Sequence, residues 1–222
     1  MSDLAQLIDD LGRRARAAAR LLATTDSARK DAGLRAMAET LVAGTAEVLA
    51  GNREDVGEGE RAGLTGTLLD RLTLTTARVT AMAEGIRQVA ALPDPVGAVL
   101  REWTQPNGLR FAKVRVPLGV IGFIYEARPN VTSDAAALCV KSGNAVILRG
   151  GAEALRTNRA IAAALGRGLV RAGLPADAVQ LVPTADRDAV PLLCAAERYV
   201  DLLIPRGGRG LIETVVSHAR VR

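Results

Sequence analysis

Apolar positions recur along this chain with two different periods, and the change from one to the other divides it. Near the start, Leu4, Leu7, Ile8, Leu11, Ala15, Ala18 and Leu22 return every three or four residues, the spacing of one helix face. Ser2 is placed to cap this helix, which the pattern carries to about Thr24, with Arg13, Arg14, Arg16 and Arg20 on the opposite face. A second stripe of Leu34, Met37, Leu41, Val42 and Val48 follows Asp26 as its cap, and Gly51-Asn52 is expected to stop it. Residues 53–66, rich in Gly and Glu, read as a short helix and a mobile loop, and 68–72 and 75–92 as further helices. The pattern predicts an antiparallel helical layer with no cluster of residues that suggests chemistry.

Pro93-Asp94-Pro95 breaks the last of these helices, and the period then falls to two. Val99, Arg101 and Trp103 precede Gln105-Pro106-Asn107-Gly108, and Leu109, Phe111 and Lys113 follow it. Asn-Gly between alternating runs predicts a β-hairpin, apolar on one face and charged on the other. Packing on its own domain and packing on a second subunit are both open for it.

From residue 120 the rhythm is strand and helix. Strands are expected at 120–125, 145–149, 179–182 and 199–204, and helices at 131–141, 153–172, 186–196 and from 207 to about 219. Apolar strands joined through helices must run parallel, so the fold class is α/β with a Rossmann-like sheet. In such sheets ligands bind outside the carboxyl ends of the strands. Those ends are Glu126-Ala127-Arg128-Pro129-Asn130, Arg149-Gly150-Gly151 and Pro205-Arg206-Gly207-Gly208-Arg209-Gly210.

Each turn admits a functional and a plainer reading. The Gly207-Gly208 turn opens a helix, where free N–H groups and two arginines suit a phosphate, although glycines at such turns also serve the backbone alone. Arg149 either holds ribose hydroxyls or a 2′-phosphate, or is a surface arginine near a helix start. Asn130 is either the N-cap of the helix at Val131 or an amide donor for an oxyanion. Tyr125 and Glu126 may be read simply as closing the strand.

Cys139 and Cys194 sit among apolar residues at helical positions, where a thiol behaves as a small hydrophobe. Neither reads as a nucleophile. With no CxxC, a disulfide framework and a zinc site are not indicated, and His218 has no partner that suggests a metal or a base. The net charge of +5 comes from arginine, yet the arginines are interleaved with acids, and 2% aromatic content leaves little for stacking bases. Nucleic acid is therefore not the expected partner. No apolar run reaches the roughly 18 residues of a membrane span, and the start lacks a signal peptide's basic region. No membrane association and a cytoplasmic location are expected.

The stretches RVPLGVIGFIYEARPNVTSDAAALCVKSGNAVILRGGAEAL and DLLIPRGGRGLIETVVSHARV resemble the γ-glutamyl phosphate reductase family, within the aldehyde dehydrogenase superfamily. The resemblance extends over essentially the whole chain. It implies three parts: 1–97 as the helical layer of a cofactor domain, 98–116 as an oligomerisation hairpin, and 117–222 as the NADPH-binding core. It also implies NADPH-dependent reduction of L-glutamate 5-phosphate to L-glutamate 5-semialdehyde in proline biosynthesis, through a cysteine thiolate and an oxyanion donor.

Residue by residue, Asn130 matches the superfamily's oxyanion donor, and Arg149 stands where many relatives place a cofactor-contacting lysine. Gly150, Gly151, Gly207 and Gly208 fall on the cofactor side, and Glu126 and Arg128 on the substrate side. Glu153 lies one residue late for the glutamate that follows the lysine in those relatives. The family's nucleophilic cysteine belongs to a domain after the point where this sequence stops, as does a strand that pairs with the hairpin, so the chain alone is expected to be inactive. A homo-oligomer through the hairpin and glutamate 5-kinase as a partner follow from the same resemblance. The other reading is a catalytically inactive module that binds a nucleotide or pairs with intact subunits.

Overall fold

The computed structural model describes residues 3–126 and 128–221, so the expected cap Ser2, Ala127 in the first turn, and Arg222 lie outside the described residues. Helices α1 (Asp3–Leu22), α2 (Ser27–Ala43), α3 (Thr45–Arg61), α4 (Gly66–Leu72) and α5 (Thr76–Ala91) precede the hairpin of β1 (Val99–Thr104) and β2 (Arg110–Val114). The parallel part runs β3 (Val120–Tyr125), α6 (Asn130–Lys141), β4 (Ala145–Arg149), α7 (Leu155–Arg171), β5 (Val179–Leu181), α8 (Ala189–Cys194), β6 (Leu202–Arg206) and α9 (Arg209–His218).

The four parallel strands lie in the order β5-β4-β3-β6. The chain moves outward from β3 through β4 to β5, then returns to the far side of β3 for β6. That reversal puts the carboxyl end of β3 between those of β4 and β6, where a doubly wound sheet leaves a crevice. β4 is buried along its whole length, as a strand covered on both faces requires.

The helices divide between the two faces. α6 and α7 cover one, with α2, α3 and α5 packed over them. α1 lies on the other with α8, so the single helical layer expected for the first ninety residues is in fact split. The cause is a close fit on the α8 side. Gly12 admits the ring of Tyr199, which a Cβ there would approach to 2.5 Å, and Arg16 pairs with Asp201 at 2.6 Å. Gln180 of β5 also donates to Leu11 O at 3.0 Å.

A second correction concerns Gly51-Asn52, which stops nothing. The break comes at Gly44, between α2 and α3, and residues 53–61 continue α3 in place of a separate short helix, leaving only 62–65 as a connection. Gly51 lets α3 approach the backbone of Arg156, where a Cβ would come within 3.1 Å. Asn52 is buried; it donates to Leu72 O at 2.9 Å and accepts from Leu74 N at 2.7 Å. Asp55, one turn on, accepts from Thr157 N at 2.8 Å and Thr157 Oγ1 at 2.6 Å. The asparagine expected to stop the helix and the buried Asp55 are both satisfied from other elements, and they fix α4 and α7 against α3.

The breaker after α5 is anchored too. Asp94 pairs with the buried Lys30 at 2.6 Å and accepts from Ser27 Oγ and Val96 N. Lys141 Nζ reaches Asp31 at 2.5 Å and Ala90 O at 2.8 Å.

β6 starts three residues later than the pattern suggested, because Tyr199 and Val200 close a turn onto Ala196 O and the Tyr199 hydroxyl donates to Asp9 at 2.5 Å. In the hairpin, Trp103 pairs with Phe111 and their rings stack at 5.3 Å. Its faces are mixed, not divided into charged and apolar: the Arg101 guanidinium lies over Trp103, 5.3 Å from the ring centroid, and Lys113 pairs with Arg101. Both strands of the hairpin are exposed throughout.

Candidate functional site

The site is built from the bottom of the three strand-end turns. Tyr125, the last residue of β3, is buried on the α6 side, and its hydroxyl lies 2.6 Å from Thr132 Oγ1. Burial pushes this phenol well above its ordinary pKa, so it stays neutral and can donate. Thr132 Oγ1 in turn lies 3.0 Å from Asn158 Oδ1 at the start of α7. This buried chain sets the ends of β3, α6 and α7 relative to one another. It also explains Gly150: a Cβ there would come within 2.3 Å of Asn158 Nδ2 and 3.0 Å of the Tyr125 ring.

Above that floor, Glu126 reaches across to the start of α9. Its Oε2 accepts from Gly208 N at 2.8 Å, and Glu126 N is 3.3 Å from Arg206 O. Gly207 must lack a side chain because a Cβ would meet the Glu126 carboxylate at 2.6 Å and Leu211 at 2.7 Å. Gly208 and Gly210 leave the helix start open, with nothing nearer to a Cβ than 3.8 Å and 4 Å respectively.

Arg149 is neither solvent-facing nor free. Only 7% exposed, it donates through Nη1 to Gly150 O at 2.5 Å and through Nη2 to Asp186 O at 3.1 Å and Ala185 O at 3.3 Å. It thereby holds the loop between β5 and α8 against the end of β4. Its Nε is buried without a partner among the described residues, and burial lowers its pKa.

Asn130 is not the helix cap. Helix α6 begins at Asn130 itself, after Pro129, and Asn130 Nδ2 donates to Asp134 Oδ2 at 3.0 Å. An amide carries two hydrogens; one fixes the group's direction, and among the described residues the other has no partner. Burial is the main reason that Asp134 is held above the usual carboxylate range.

Three adjoining cavities bring these residues together. One, of about 360 Å³, is lined by Glu126, Arg149, Gly151, Glu153, Arg187 and Gly210. A second, of about 410 Å³, shares Glu126 and adds Arg71, Arg128, Arg206, Gly207 and Gly208. The third, of about 390 Å³, shares Arg71 and Arg128 and contains Asn130 and Asp134. A larger cavity, about 640 Å³, runs along the outer edge of β5 between α1 and α7 and holds none of the site residues expected from sequence.

Arg71 was not foreseen, because nothing local marks the end of a seven-residue helix as part of a site. It arrives there through Asn52, which holds the carbonyl of Leu72. Arg187 was likewise missed, since it lies in a loop whose path is set by Arg149.

Cys139 is buried among apolar side chains and its thiol is pushed up to about 12 by desolvation; Cys194, also buried, is raised for the same reason. Among the described residues no group of three His, Cys, Asp or Glu side chains could hold a metal ion, and no helix is long and apolar enough to cross a membrane.

The aldehyde dehydrogenase family model matches residues 5–220, and the chain belongs to that family. Within it, the chain is 56% identical over 220 residues to the γ-glutamyl phosphate reductase of Paramagnetospirillum magneticum, covering 99% of this chain and 52% of that protein. The solved γ-glutamyl phosphate reductase of Thermotoga maritima superposes with a TM-score of 0.94 at 38% identity, over 96% of this chain and 52% of the other. That of Saccharomyces cerevisiae does so with a TM-score of 0.89 at 31% identity, over 100% and 55%. The chain spans about half the length of the curated relatives it matches.

Proposed function

We propose that this chain is the cofactor-binding part of an NADPH-dependent reductase that converts L-glutamate 5-phosphate to L-glutamate 5-semialdehyde in proline biosynthesis. The observation that carries the reading is the contact of Glu126 with Gly208 N, in a cleft that also contains Arg149 and Gly151. A carboxylate already satisfies the start of α9, which marks that position as one that accepts an anion. The unpartnered Arg149 Nε and the side-chain-free Gly208 and Gly210 fit a dinucleotide whose anionic backbone lies along this rim.

In this reading Gly151, Gly207 and Gly208 admit the cofactor's phosphates, and Gly150 keeps the β4 turn tight beneath them. Arg149 shapes the ribose side by fixing the loop at Ala185 and Asp186, more than by direct contact. When bound, NADPH supplies a hydride. Asn130 holds one amide hydrogen toward a developing oxyanion while Asp134 fixes its direction, and Glu126 and Arg128 border the substrate side. Neither buried cysteine serves as the nucleophile, which the resemblance places in a further domain.

The test is fluorescence titration of the chain with NADPH and with NADH. The expected result is saturable NADPH binding that Arg149→Leu weakens. Absence of binding by either nucleotide would overturn the reading.

The hairpin carries the subunit-pairing side of the proposal, with a second copy of the chain as the partner. Val99, Phe111 and Val116 are exposed there beside the stacked Trp103. Light scattering is expected to give a dimer or larger species that Trp103→Glu returns to monomer; a monomeric wild-type chain at high concentration would sink it.

A further inference from the structure

The second cavity, which Gly207 and Gly208 line on the cofactor side, also holds an arginine cluster that the cofactor reading does not use. Arg71 comes from the last turn of α4, Arg128 from the turn after β3, and Arg206 from the end of β6. All three are exposed, and among the described residues none has a hydrogen bond or ion pair on its guanidinium. Among arginines that line the other cavities, Arg78 is matched with Asp70 at 2.7 Å, Arg14 with Asp177 at 2.7 Å, Arg167 with Glu47 at 3.0 Å and Arg171 with Glu39, whereas among the described residues Arg110 and Arg187 have no ion pair. Glu126 also lines the cavity, but its carboxylate is turned to Gly208 N. Asp134 acts on Arg206 through its charge without a bond to it.

Three guanidinia from separate elements outnumber Glu126, the one acid that lines this cavity with them, so they repel one another and leave their planar forks open to a multivalent anion. Bidentate pairing of this kind is what arginine offers a phosphate. The neighbouring cavity shares Arg71 and Arg128 and contains Asn130, so an anion held here lies beside the proposed oxyanion donor.

We propose that Arg71, Arg128 and Arg206 form a binding site for a phosphoryl group, that of a small acyl phosphate or the inorganic phosphate it releases, separate from the cofactor's phosphates. The proposal rests on the acyl-phosphate reading given above and extends it to α4, an element outside the parallel sheet. Arg71 is the residue that decides it, because it comes from α4 and belongs to neither the α9 turn nor the β4 turn.

The experiment is calorimetric titration of the full chain with inorganic phosphate at constant ionic strength, with thermal melts of each variant as a check on folding. Wild type is expected to show one saturable site, and Arg71→Ala and Arg206→Ala to weaken it by about tenfold or more, the usual effect of losing a charged hydrogen bond. Arg71→Lys should recover only part of the loss, since it restores charge without the fork. Arg35→Ala on α2, an exposed position outside these cavities, removes the same charge elsewhere and should leave the phosphate affinity unchanged.

No saturable phosphate site, an unaltered affinity in Arg71→Ala, or an equal loss in Arg35→Ala would each overturn the proposal. A second titration at saturating NADPH separates the two possible sources of phosphate. Phosphate is expected to bind with unchanged affinity; mutual exclusion would assign the arginines to the cofactor and defeat the proposal. Phosphate binding that depends on Arg71 in a chain that binds no NADPH would support this site and defeat only the cofactor reading.

Discussion

Glu126, at the end of β3, accepts a hydrogen bond from Gly208 N at the start of α9, with its Oε2 2.8 Å from that nitrogen. The contact crosses between neighbouring parallel strands and places a negative charge where the helix dipole is positive. A ligand phosphate that takes the same N–H group must displace this carboxylate or share the site with its charge.

Glu126→Gln is therefore expected to tighten NADPH binding by about two- to fivefold, the range of a single charge at a helix terminus. Fluorescence titration checks it. Weaker binding in the variant would mean that the carboxylate contacts the ligand favourably instead of competing with it.

Arg149 is expected to matter for stability as well as for binding. Replacing it with Met strips the carbonyls of Gly150, Ala185 and Asp186 of a charged donor and should cost about 2–3 kcal/mol in urea unfolding. Lysine should not restore this, because a single ammonium cannot span both loops as the guanidinium does. A full rescue by Arg149→Lys would contradict the bridging role.

Asp94 makes part of the stability depend on acid. Partial burial raises its pKa, but bonds from Lys30, Ser27 and Val96 outweigh this and hold it below the ordinary value. A depressed folded-state pKa contributes stability that is complete above the unfolded value of about 3.9 and is lost as pH falls through the lower folded value. Asp94→Asn leaves the buried Lys30 ammonium unpaired and should cost about 3–5 kcal/mol at pH 7. Chemical melts should show the gap between wild type and variant narrowing below about pH 4; a gap that does not change with pH would refute the assignment.

Cys139 and Cys194 are expected to resist alkylation in the native state at pH 8 and to react fully in denaturant, since burial keeps both as thiols. Mass spectrometry after iodoacetamide treatment gives the count. Rapid native labelling of either would reopen it as a nucleophile.

Much of the parallel half was legible in the sequence. β3 and β4 begin and end where the apolar runs do, because a strand buried on both faces needs an unbroken run of such residues. The hairpin turn was legible as well, since Gly108 sits at φ +86°, a conformation that favours glycine. Gly51 and Asn52 were misread because their partners, the Arg156 backbone and Leu72 O, are remote in sequence.

The sequence by itself determined the period of each element, the parallel sense of the sheet, and which polar turns end its strands, since these depend on neighbours a few residues apart. Only the tertiary structure decided that α1 crosses to the opposite face, that Arg149 is buried and engaged with backbone carbonyls, and that Arg71 joins Arg128 and Arg206 around one cavity. Those outcomes depend on packing between segments far apart in the chain, where a glycine's missing side chain or one buried amide selects the neighbour and no local pattern records the choice.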